Sequence, residues 1–186
     1  MSAIAYVVTE GQADVEILKR CLPEDIVRSV EFAVGHGSNS AMSLAGSILA
    51  VKRVPVALVE DADALSEQRI HEREDFLRYM LRQAAAGVPF QVFLVVPEIE
   101  ALFFQDRTFV EHFAGQRLSD REWDAAQRHP KEWLAGMLAG HPVRVEEMLA
   151  ALSEKELLAI QRHPLIQGLS EFVGSVASRE AAASPS

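Results

Sequence analysis

Cysteine is nearly missing from this chain: Cys21 stands alone among 186 residues, which excludes a disulfide framework and any zinc cluster built on thiolates. Long apolar runs are missing as well. No stretch approaches the roughly 20 apolar residues of a membrane-spanning helix, and no charged n-region precedes an apolar h-region, so a cytoplasmic protein with no membrane partner is expected. Positive charge is in deficit, with 18 Lys and Arg against 27 Asp and Glu and a net charge of −9, which argues against a broad nonspecific nucleic-acid footprint but leaves room for a local basic groove. Neither a Gly-Lys-Ser/Thr phosphate loop nor the glycine spacing of a dinucleotide fingerprint occurs. With 49 % hydrophobic residues, the chain has enough apolar content for one good core plus an elaboration.

The stretch from Val54 to Leu65 organises the rest. It is an apolar, β-branched run that ends in Glu60, Asp61 and Asp63. Such a run suits a strand buried on both faces of a parallel sheet, so its C-terminal end should point into a crevice. On an extended chain residues two apart share a face, which predicts that Asp61 and Asp63 project together while Glu60 points the other way. Paired carboxylates repel unless a cation or proton offsets them, and Mg²⁺ favours one or two carboxylates with waters and phosphates. The plainer reading makes Asp63 a helix cap.

Around this strand the chain alternates. Ala3 to Val8 reads as a first strand, stopped by Thr9-Glu10-Gly11 and followed by a helix with Val15, Leu18 and Leu22 on one face. Glu10 should therefore stand at a strand end, with Gly11 allowing the turn and Asp14 facing the same crevice one helical turn on; the alternative makes both acids simple helix-start residues. Pro23 closes that helix, and Ile26 to Val34 reads as an edge strand. Gly35-His36-Gly37-Ser38-Asn39-Ser40 then leads into a helix to about Lys52, either as a plain turn or with Gly37 and Ser38 cradling a phosphate. Ser66 to Ala86 is a charged amphipathic helix, Phe90 to Val96 a fourth strand, and Pro97-Glu98-Ile99-Glu100 a turn into helix with Pro97 in its first turn. Glu98 or Glu100 completes the rim of the crevice. From Arg107 to Val176 no strand pattern occurs, and Pro130, Pro142 and Pro164 divide the segment into short helices. His129, His141 and His163 each precede a proline and mark helix starts, since their spacing offers no same-face metal pair.

These elements predict an α/β fold, with a mainly parallel four-stranded sheet of order 2-1-3-4, because only neighbouring first and third strands bring Glu10, Asp61 and Asp63 to one switch point. Thr9-Glu10-Gly11-Gln12-Ala13-Asp14 resembles the Glu-Gly-x-x-Asp/Glu motif of the Toprim fold, shared by topoisomerases, primases and nucleases related to the overcoming-lysogenization-defect proteins. Val59-Glu60-Asp61-Ala62-Asp63 resembles its Asp-x-Asp motif, and Pro97-Glu98-Ile99-Glu100-Ala101 is similar to a segment of small Toprim-like bacterial and phage proteins. The likeness covers about residues 3 to 104. It implies a three-layer Toprim-like domain over 1–105, to which the helical remainder adds a cap over 106–177 and a disordered tail over 178–186.

The resemblance also implies chemistry. Asp61 and Asp63 would hold Mg²⁺ or Mn²⁺, and Glu10 would act as general base or join Glu98 or Glu100 around a second ion. Tyr6 lies in a strand and Tyr79 on the long helix, so a tyrosyl-ester strand-passage reaction is not expected. The expectation is Mg²⁺-dependent nuclease-type hydrolysis of nucleic acid, in phage defence or DNA repair. Lys19, Arg20, Lys52 and Arg53 are the cations near enough in sequence to line the crevice, with Lys52 a secondary site candidate beside Asp14, Gly11, Gly37 and Ser38. The competing expectation is a non-catalytic, metal- or nucleotide-binding regulatory module of a defence or toxin–antitoxin pair, meeting a protein partner or a second copy through its helical C-terminal region.

Overall fold

Four short strands carry the architecture: β1 (Ala5–Thr9), β2 (Val30–Val34), β3 (Val56–Asp61) and β4 (Phe90–Val95). In the computed structural model, which describes residues 3–63, 65–136 and 144–183, they form one sheet of order β2-β1-β3-β4 in which every pairing is parallel. The two central strands are apolar throughout β1 up to Thr9 and in β3 up to Glu60, because both of their faces are covered. Alternation sorts their side chains. Ala5, Val7, Ala57 and Val59 enter one core, while Tyr6, Val8, Val56 and Leu58 enter the other.

The second of these cores is closed by α3 (Ser38–Ser47), its π-helical extension Ile48–Lys52 and α4 (Glu67–Ala85), through Ala41, Ala45, Leu49, Leu77 and Leu81. The first is larger. It takes Ile17 and Leu18 of α1 (Gln12–Cys21) together with residues from the whole C-terminal half: a 3₁₀ helix (Ile99–Gln105), then α5 (Arg107–Ala114), α6 (Asp120–Arg128), α7 (Pro130–Leu134), α8 (Val145–Ala151), α9 (Glu154–Ile160) and α10 (Pro164–Ala183). Helices thus lie on both faces of the sheet, and the helical extension shares a core with it. Cys21 is buried here, and burial pushes its thiol up to about 12, far from a reactive thiolate.

Several local readings change. Residues 26–29 belong not to β2 but to a short helix, α2 (Glu24–Ser29): Pro23 precedes two first-turn acids, and Arg28 pairs with Glu24 one turn away. Pro97 is not in a first helical turn. It follows a cis bond, and the extended Glu98 caps the 3₁₀ helix instead. The expected end of order at Ser178 gives way to helix through Ala183. His129 and His163 do stand at helix starts, before Pro130 and Pro164, whereas His141 and Pro142 lie outside the described residues.

Gly35 is fixed by space. A Cβ there would lie 2.2 Å from the Cα of Ala41, so only glycine lets the loop after β2 turn tightly into α3. Among the described residues no helix is long and apolar enough to cross a membrane.

Candidate metal centre

The C-terminal ends of β1 and β3, neighbours in a sheet whose order reverses between them, open the crevice that such a switch point creates. β3 delivers Asp61 as its last residue. Its Oδ1 accepts from the Ile99 N–H at 2.8 Å, which ties the strand end to the 3₁₀ helix and brings Glu98 and Glu100 alongside. The result is a cluster in which one carboxylate oxygen each of Asp61, Glu98 and Glu100 lies within 4.8 Å of the others. Both glutamates therefore face the crevice. Glu100 is only 4 % exposed, and its Oε2 is buried without a hydrogen-bond partner.

Asp63 departs from expectation. β3 stops at Asp61, and Asp63 takes a left-handed backbone with φ 47°, held by its N–H donating to the Pro97 carbonyl at 3.0 Å. The two-residue alternation thus ends before it could apply. Asp63 is exposed and lines, with Leu65, Pro97, Glu98, Arg128 and His129, a cleft of about 340 Å³ next to the cluster.

Glu10 is close by. Its Oε1 accepts from the Asp61 N–H at 3.3 Å, and its acidity is perturbed: burial, and then the charges of Glu60 and Asp61, push it up to about 7. Asp14 accepts from the Gly11 N–H at 2.8 Å, performing the helix-start role, while burial and the Asp61 charge raise its pKa and Lys131 opposes them. Glu60 points to the opposite face as expected. There its buried Oε2 accepts from Ser38 Oγ at 2.8 Å and from Arg73 at 2.7 Å.

That network corrects the phosphate-cradle reading. Ser38 donates to Glu60, and the Gly37 N–H donates to the Glu10 carbonyl at 3.1 Å, so both groups brace the loop against the strand ends. The expected cations are elsewhere too. Lys52 precedes β3, at the edge of the sheet opposite Asp61, and donates to Tyr6 Oη at 2.6 Å. Lys19 sits against Glu16 and the Phe32 ring, Arg20 donates to the carbonyls of Leu149 and Leu152, and Arg53 lies with Pro55 and Val88 below the sheet. Sequence proximity misleads here because a strand carries its two ends to opposite edges of the sheet.

The cation that does reach the cluster is Lys131 of α7. Its ammonium pairs with Asp61 Oδ2 and lies 3.8 Å from Glu98 Oε2 and 3.9 Å from Glu100 Oε2. Its own N–H donates to Glu98 Oε1 at 2.6 Å. Burial acts to lower its pKa, but the hydrogen bond and charge of Asp61, followed by Glu100 and Glu98, outweigh burial and raise it. Nothing near Lys131 in the sequence signals this, since it follows Asp61 by 70 residues.

Burial also pushes the Glu100 carboxyl up to about 7, against the opposing charge of Lys131. A raised acid holds its proton in the folded chain through a range where the unfolded chain has lost it. Its contribution to stability is therefore full below the ordinary value of 4.5 and falls away as pH rises to about 7. Glu100→Gln keeps the shape without the charge. In EDTA it should be more stable than the parent at pH 8, by about 1–3 kcal/mol, with the difference vanishing near pH 4. A constant difference across that range, read by thermal unfolding, would show that charge burial is not the cause.

Compared with family models, with curated proteins and with solved structures, the chain matches none, so what the site can do rests on its own geometry.

Proposed function

We propose that the protein is a Mg²⁺- or Mn²⁺-dependent phosphodiester hydrolase acting on nucleic acid, a Toprim-like nuclease. The observation that carries this reading is the convergence of Asp61, Glu98 and Glu100 at the switch-point crevice, with Glu10 beside them. The donor set suits a hard cation. All three ligands are carboxylates, and the partnerless buried Oε2 of Glu100 is an acceptor that a metal would satisfy.

When bound, such an ion supplies positive charge that polarises a phosphoryl oxygen and lowers the pKa of water. The chain's residues do the rest. Asp61, Glu98 and Glu100 fix the position of the ion, and the Ile99 N–H holds Asp61 in place. Glu10, with a pKa raised to about 7, is matched to accept a proton from an attacking water near neutral pH. Asp63, Arg128 and His129 line the adjoining cleft, where a phosphate ester would lie.

Calorimetry with Mg²⁺ and Mn²⁺ tests the reading. The parent protein should bind, and Asp61→Asn should bind at least about tenfold more weakly, because one of the few anionic ligands becomes neutral. Purified protein should also cleave DNA or RNA in the presence of metal and not in EDTA. Equal binding by parent and variant would remove the site, and binding without cleavage of any substrate would favour a regulatory module.

A further inference from the structure

The ammonium of Lys131 stands where the three carboxylates direct their charge. It is paired with Asp61 and within 4 Å of both glutamates. Glu100 adds an independent pointer, since its Oε2 is buried and, among the described residues, has no hydrogen-bond partner, with the ammonium 3.9 Å away. We propose that Lys131 is the resident counter-ion of this centre and that a divalent cation binds by exchange, entering the carboxylate cluster as the ammonium leaves it. The inference rests on reading Asp61, Glu98 and Glu100 as metal ligands.

Two physical facts carry it. Asp61 Oδ1 already accepts from the Ile99 N–H, so an Mg²⁺ ion at the usual distance of about 2.0–2.1 Å would take the Oδ2 that now accepts from Lys131, and that oxygen cannot serve both cations fully. Two like charges a few ångströms apart also repel strongly at the moderate dielectric of a half-buried site. The lysine stem is long, the side chain is 45 % exposed, and the 340 Å³ cleft lined by Glu132 of the same helix adjoins the cluster, so the ammonium has an exit. Its departure removes one of the two polar holds that Lys131 places between α7 and the site, the other being its N–H on Glu98. Site occupancy is thereby reported to α7 and to Trp133, two residues on, whose ring packs edge-on against Phe104 at 5.4 Å. Exchange also sets a threshold, because a cation that binds weakly cannot displace the ammonium.

The test is calorimetric titration of Mg²⁺ and Mn²⁺ into the parent protein, Lys131→Met and Lys131→Gln, with tryptophan emission followed in parallel. Both neutral variants should bind metal about tenfold tighter or more, since the competing charge is gone. In the parent, metal should shift the emission with the same midpoint as the heat. Equal affinity in all three proteins, or weaker binding in the variants, overturns the exchange while leaving the metal site standing. No binding by any of them removes both. Should neither variant fold, the parent's emission decides: a metal-dependent shift supports exchange, and heat of binding without any shift refutes it.

Discussion

Glu10→Gln is expected to lower metal-dependent cleavage by about 10²–10⁴-fold, the range that loss of a general base costs, while leaving the fold and most of the metal affinity in place. The amide retains an oxygen that accepts from the Asp61 N–H, so the strand-end contact survives, but it cannot take a proton from water. In the parent, the rate should climb with pH and level off at or below about 7, because Glu10 must be deprotonated to act and a bound cation draws its raised pKa downward. The glutamine variant should lack this limb. Initial rates on single-stranded, double-stranded and supercoiled substrates, with EDTA as control, check both points. Cleavage that survives the substitution unchanged would belong to another site or to a contaminating nuclease.

The largest effect on stability should come from Trp133→Ala. Trp133 is 1 % exposed and edges against Phe104, so it joins α7 to the 3₁₀ helix that carries Glu100. Truncating a fully buried tryptophan costs about 3–5 kcal/mol, which in a protein of this size lowers the melting temperature by roughly 6–20 °C. Because Lys131 lies on the same turn of helix, the variant should also change metal affinity. A loss below about 1 kcal/mol in chemical denaturation would mean that α7 is not fastened to the core through this ring.

Strand order was legible in the sequence because the acids had to meet. Glu10 and Asp61 end two apolar runs, and with the less buried second strand at an edge those runs become neighbours in the order 2-1-3-4. The failures share a cause, which is that local pattern was extended past the point where hydrogen bonding ends. Ile26 to Ser29 fits a strand by composition, yet the proline and acids ahead of it start a helix. Asp63 fits an alternation that the strand no longer maintains. Lys131 could not be found this way at all, because its approach to Asp61 depends on how the helices after the sheet stack against one another, and no local motif encodes that. His129 was visible only as a helix boundary, although the same boundary sets it and Arg128 over the cleft.

The cover of one sheet face arrives late in the chain. All four strands are complete by Val95, but Leu165, Ile166, Leu169, Phe172, Val173 and Val176 of α10 pack into the core that Ala57, Val59 and Val95 line. Gly168 sits so near Phe93 that a Cβ would lie 2.8 Å from its ring, which lets the helix backbone lie close against β4. During synthesis the first hundred residues therefore leave the ribosome with an apolar face that α1 covers only in part, for the several seconds that translation needs to reach α10. That nascent half is the species a chaperone would meet, and the crevice at its strand ends lacks Lys131 until α7 has been made.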